Sequence, residues 1–117
     1  MNIVVILMFS ININELRHPI TIQRSTIEKD EDRRPIEVFK DLFSTRAKIL
    51  NVRGTEYYEA HGNGLDIEKT FYIRFRHDIE ISNKDRVYYN NKFYEIIYVN
   101  DVEERHEWLE IKAKRTV

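Results

Sequence analysis

The chain has 117 residues and a formal net charge of −1, from 19 Lys+Arg and 20 Asp+Glu. That length supports one domain with a single modest core, and the charge balance excludes a grip on DNA or an anionic membrane by bulk charge. There is no Cys, which removes disulfides, thiol chemistry and thiolate-bound zinc.

Residues 1–14 carry no charged side chain, and residues 3–9 form a continuous apolar run. The run is too short to span a membrane. It also lacks the basic segment and small-residue cleavage site of a signal peptide. An extra strand or an extension packed on a neighbour is expected here, with Ile3, Val5 and Leu7 as interface residues.

Ile11 and Ile13 then alternate with Asn12 and Asn14, as in a strand. Pro19 precedes a strand that puts Ile20 and Ile22 on one face. Residues 28–37, EKDEDRRPIE, read as a solvated charged loop interrupted by Pro35. Phe43, Thr45, Ala47 and Ile49 share one face of a second strand, with Arg46 and Lys48 on the other.

All three glycines fall at Gly54, Gly62 and Gly64, so one short window holds the backbone freedom the rest lacks. Inside it, residues 55–61 read as one or two helical turns, with Thr55 as cap and Gly62 as stop.

Phe71, Ile73 and Phe75 alternate with Tyr72, Arg74 and Arg76 in a third strand. Residues 87–89 and 93–99 read as a hairpin turning at Asn90 and Asn91, since Asn tolerates positive φ. In its second strand Phe93, Ile97 and Val99 are expected to fill the core. Tyr94, Ile96 and Tyr98 then form the outer face. Residues 103–107 read as a polar turn, and a last strand sets Leu109, Ile111 and Ala113 against Trp108, Glu110 and Lys112. The expected fold is mainly β: a small antiparallel barrel of five to six strands with one short helix or loop insert. Residues 1–14 are read as an extension and 15–117 as the single barrel domain. Seven Tyr and Trp108 are a heavy aromatic load for so small a core. Tyr72, Tyr88, Tyr94, Tyr98 and Trp108 are therefore expected at a subunit interface.

No constellation for catalysis emerges. His18, His61, His77 and His106 lie outside any spaced metal motif. His77 and Asp78 are neighbours on what reads as a strand, so they point to opposite faces. No G-x-S-x-G surrounds a serine. Gly62-Asn63-Gly64 is only half a dinucleotide fingerprint. Arg33 and Arg34 stand among acids. No catalytic residue, cofactor or metal is expected.

The order of elements resembles that of the phage head–tail joining family, whose members are also called head-completion, adaptor or stopper proteins. The resemblance rests on six segments in series. They are Leu16-Arg17-His18-Pro19-Ile20-Thr21-Ile22-Gln23; residues 43–52; Gly54-Thr55-Glu56-Tyr57-Tyr58-Glu59-Ala60; residues 71–76; Asp85-Arg86-Val87-Tyr88-Tyr89 with Tyr94-Glu95-Ile96-Ile97-Tyr98-Val99; and residues 107–114. Residues 1–10 precede the point where members commonly begin, and the turn is Asn-Asn where Asp-Gly or Asn-Gly is more usual.

This resemblance implies a structural virion protein of a tailed phage or prophage, made in the host cytoplasm and placed in the neck of the virion. It implies a homo-oligomeric ring between a portal or adaptor protein above and a tail-completion or tail protein below. Double-stranded DNA would pass through the lumen without sequence-specific binding, and no membrane would be involved. The ring would extend and close the channel, retain DNA and dock the tail. Carried over by position, residues 54–67 would face the channel. Gly54, Gly62 and Gly64 would be hinges beside Asn63. Tyr57, Tyr58 and His61 would supply bulk, and Glu56, Glu59, Asp66 and Glu68 a negative wall. The alternative is a small β-barrel binding module for peptide or single-stranded nucleic acid, with Tyr72, Tyr88 and Trp108 as its stacking platform.

Overall fold

The structure is a computed structural model, and it describes residues 11–51 and 67–116. Six strands carry the fold: β1 (His18–Lys29), β2 (Pro35–Asn51), β3 (Lys69–Arg74), β4 (Asp85–Tyr89), β5 (Lys92–Asp101) and β6 (Trp108–Arg115). They close into an antiparallel barrel in the order β1-β2-β3-β6-β5-β4. The barrel the sequence predicts is therefore present. The predicted helix at 55–61, the glycine window and residues 3–9 lie outside the described residues.

Alternation fills the barrel. Ile20, Ile22, Phe71, Ile73, Val87, Ile111 and Ala113 are all at 2% exposure or less. Each comes from the inward set of a period-two strand. Burial of such a face supplies roughly 1.5–3 kcal/mol for each large apolar side chain. β3 is buried on both faces, since Thr70 and Tyr72 are covered as well as Phe71 and Ile73.

Two bulges re-phase the alternation. In β2, Ile22 faces Phe43 but Gln23 faces Asp41, so Leu42 is the extra residue. In β5, Ile96 faces Ala113 and Tyr98 faces Lys112, so Ile97 is extra. This second bulge corrects the expected faces of β5. Tyr94 and Ile96 point inward at 2% and 1% exposure, Tyr98 points out, and Val99 returns to the core side. Phe93 and Ile97, expected inside, are only half-buried.

Two further expectations are corrected. Residues 11–14 do not form a strand. Asn12 caps a 3-10 turn at Ile13–Glu15, its side chain accepting from the Asn14 N–H while Glu15 accepts from the Asn12 N–H. Nor are residues 28–37 a loop throughout. β1 runs on to Lys29 and β2 starts at Pro35, leaving only a short turn between them. The reason is local pairing, because Lys29 faces Pro35 at the hairpin end, where a proline is tolerated. The turn at Asn90 and Asn91 is as expected, with φ of 51° and 60°. Positive φ also falls on Arg33, Glu103, Glu104 and His106.

Candidate functional site

β1 and β2 pair along the whole of β1, from His18 opposite Ala47 to Lys29 opposite Pro35. Their outer neighbours stop early. Among the described residues, β4 joins β1 only from Thr21 to Arg24, and β3 joins β2 only from Lys48 to Asn51. Residues 25–39 therefore leave the barrel as a two-stranded arm, and the molecule is 65 Å in its longest dimension.

Polar cross-strand contacts hold the arm together. Ser25 Oγ donates to Glu37 at 2.7 Å, Thr26 Oγ1 to the Val38 carbonyl at 3.3 Å, and Lys40 pairs with Glu28. At the tip, the Asp30 carboxylate accepts from the backbone N–H groups of Asp32 and Arg34, which lets Arg33 take a φ of 61°. The arm carries apolar groups on both faces. Ile27, opposite Glu37, is 68% exposed, and Ile36, opposite Glu28, is 41% exposed. Isolated two-stranded ribbons are marginal in water, so its base matters. There Gln23 donates to Asp41 at 2.9 Å and accepts from Arg86 Nε at 2.7 Å. The Arg86 guanidinium lies between the Phe39 and Phe93 rings. Burial lowers its pKa from the ordinary arginine value, and Glu37 partly opposes that.

Inside this base, the core ends in charge. The Asp85 side chain is fully buried and accepts from Arg24 Nε at 2.9 Å, Arg24 Nη2 at 3.0 Å and the Ser82 N–H at 3.1 Å. Arg24 also donates to the Glu80 carbonyl at 2.7 Å. Asp85 holds the Arg24 pKa above its usual value.

At the opposite end of β1 lies a cavity of about 320 Å³ lined by Ile13, Leu16, Thr45, Arg46 and Arg74. The 3-10 turn forms one wall and is pinned by a 2.6 Å ion pair between Glu15 and Lys48. Arg46 reaches the Arg17 carbonyl at 3.4 Å, and Arg74 sits over the Trp108 ring at 5.3 Å.

A larger cavity of about 550 Å³ is lined by residues that include Phe75, His77, Ile81, Val99 and Asp101. Phe75 packs edge-on to His77 and tilted against His106, each at 4.8 Å, and His106 meets Asp101. Asp78 is engaged by Arg76 through both carboxylate oxygens, which lowers its pKa. His77 and Asp78 lie in a bend past the end of β3 and not on a strand as expected, because β3 stops at Arg74. Among the described residues no group of three His, Asp or Glu is placed to hold a metal ion.

The aromatic residues proposed for an interface separate into two sets. Tyr94 belongs to the core and packs edge-on to Phe71 at 5.5 Å. Tyr72 is 8% exposed and donates to Glu110 at 2.6 Å. Both are covered within this chain, which corrects the expectation of exposed tyrosines for these two and takes Tyr72 out of the stacking platform. Tyr88 is half-buried on Phe93 and donates to Asn91 at 2.8 Å. Trp108 is half-buried under Arg74, and Tyr98 is 46% exposed. Ile3, Val5, Leu7, Gly54, Glu56, Tyr57, Tyr58, Glu59, His61, Gly62, Asn63, Gly64 and Asp66 lie outside the described residues. The arm, the Arg86 clamp and the arginine-lined pocket went unpredicted. The one sequence signal for the arm was Ile27 just before the charge run and Ile36 near its end.

The described residues form a closed antiparallel barrel with a projecting hairpin. Residues 11–116 match the phage head completion protein family, and the chain belongs to that family. It is a phage structural head–tail protein. The fold is similar to the solution structure of protein SF1141 from Shigella flexneri 2a, with a TM-score of 0.70 and 23% identity, covering 92% of this chain and 98% of that one. It is also similar to a chain of the virion of a native gene transfer agent particle, with a TM-score of 0.58 and 10% identity, covering 87% and 96%. No curated protein matches the chain.

Proposed function

We propose that the protein assembles as a homo-oligomeric ring in the neck of a tailed phage, between a portal or adaptor protein and a tail protein. The ring extends the DNA channel, keeps packaged DNA inside and offers the platform on which the tail docks. The family match over residues 11–116 carries this proposal. The net charge of −1 supports it, because DNA slides through a near-neutral lumen without the clamp that many Lys- or Arg-phosphate contacts would build.

In this proposal residues 54–67 face the channel, with Gly54, Gly62 and Gly64 as hinges of a gate. The apolar run at residues 3–9 contacts a neighbouring subunit, as do the exposed Tyr98 and the half-buried Tyr88 and Trp108. Phage lacking this protein should give tailless heads that leak DNA, and normal infectious particles from that deletion would sink the proposal. The gate has its own test. Replacing the three glycines with alanine should impair DNA retention or ejection, and unchanged retention and ejection would remove it.

A further inference from the structure

We infer that the arm of one copy docks its tip into the arginine-lined pocket of a neighbouring copy of the same chain. The inference rests on the assembly proposed above and names its contact.

Three observations lead to it. First, the arm has apolar side chains on both faces, at Ile27 and Ile36, and beyond its base neither edge is paired with a described residue. A ribbon of this kind is suited to insertion against another surface. Second, the charges left over are complementary. On the tip, the Glu31 and Asp32 carboxylates have no partner among the described residues. In the pocket, Arg46 and Arg74 have no carboxylate partner among them. In sequence the acids Glu31 and Asp32 precede Arg33 and Arg34, which also have no carboxylate partner among the described residues, so it is the leading half of the turn that the pocket would take. Ile13, 60% exposed, and Leu16 give the pocket an apolar lip for Ile27, the more exposed of the two isoleucines.

Third, the arm cannot reach its own pocket. Thr45 of the pocket faces Ile20, and the tip begins past Lys29 on the same strand. Nine residues of extended strand separate them by about 30 Å. The paired ribbon points away from the pocket, so the contact is between copies. Donor and acceptor are different surfaces, which makes the contact heterologous and able to propagate around a ring.

Two measurements on assembled particles test this. The chain has no Cys, so a thiol-specific reagent reads only introduced positions. With Asp32→Cys and Arg46→Cys in the same chain, a short bis-maleimide should give a ladder of covalent multimers. Either single variant should give none. Monomers alone from the double variant, in particles that contain the protein, overturn the inference and leave the proposed function standing. Charge exchange is the second measurement. Glu31→Arg with Asp32→Arg, or Arg46→Glu with Arg74→Glu, should each cut the yield of tailed particles at least about tenfold. All four together should restore most of it, because every copy then carries both reversed surfaces. Arg33→Glu with Arg34→Glu should not reduce the yield. Failure of the fourfold exchange to restore assembly, with a soluble folded protein, overturns the inference. Full assembly without the protein would instead overturn the proposed function.

Discussion

The guanidinium carbon of Arg86 lies 3.7 Å from the ring centroid of Phe39, and Phe39 stands where β2 leaves the barrel to form the arm. The other face of the same guanidinium lies 3.9 Å from the Phe93 ring. One cation therefore joins the arm to the β4–β5 hairpin. Each such contact is worth about 0.5–2 kcal/mol, more as it is desolvated.

Arg86→Ala should loosen the base of the arm while leaving the barrel folded. Amide hydrogen exchange at residues 25–39 should speed up by about tenfold, against little change in β3 and β6. Arg86→Lys should fall close to Ala, because an ammonium cannot stack between two rings and reach Gln23 together. Equal protection in the variants and the parent would show that the clamp does not set the arm.

The Arg24–Asp85 pair makes an asymmetric prediction. The Asp85 side chain is fully buried, while Arg24 keeps 41% of its side-chain exposure. Arg24→Ala strands a buried carboxylate and should cost about 3–5 kcal/mol. Asp85→Asn leaves an arginine that water can reach and keeps an acceptor for the Ser82 N–H, so it should cost about 1–2 kcal/mol. Urea denaturation of the two variants gives the order directly, and the reverse order would contradict this assignment.

Asn91 does two things at once. It holds φ at 60° and accepts the Tyr88 hydroxyl at 2.8 Å. Asn91→Ala should lose both and destabilise by about 2 kcal/mol. Asn91→Gly should recover the backbone part and lose only the hydrogen bond. Thermal melts of the pair separate the two contributions.

Stability should fall at alkaline pH. Burial, and then the hydrogen bond to Glu110, hold the Tyr72 hydroxyl protonated well above its usual pKa, and burial also raises that of Tyr94. Both groups titrate later in the folded state than in the unfolded chain. Their contribution is complete below about pH 10, the ordinary tyrosine value, and is lost as pH rises from there towards the folded-state pKa. Melting temperatures should drop over that range, and Tyr72→Phe should flatten the drop. A parallel decline in Tyr72→Phe would assign the effect elsewhere.

Period-two alternation made the barrel legible wherever one strand face was apolar and the other charged, as in β6 with Leu109, Ile111 and Ala113. It misled in β5, because nothing about Ile97 announces that it is the extra residue of a bulge. The arm was hidden for a different reason. Its residues are charged and exposed like a loop, and only cross-strand partners such as Ser25 with Glu37 show that they are strand. The left-handed positions were equally silent, because Arg33, Glu103, Glu104 and His106 fill them without glycine. The pocket depends on Arg46, Arg74 and Ile13 meeting across the fold, and no spacing along the chain encodes that meeting.

The way the arm is rooted also sets how it carries load. A pull on its tip runs parallel to β1 and β2, across hydrogen bonds that lie perpendicular to the strands. β1 must then slide past β4 over residues 21–24, and β2 past β3 over residues 48–51, with every rung strained together. The arm is thus a tether loaded in shear, anchored on opposite sides of one closed wall, and it cannot be peeled off one rung at a time.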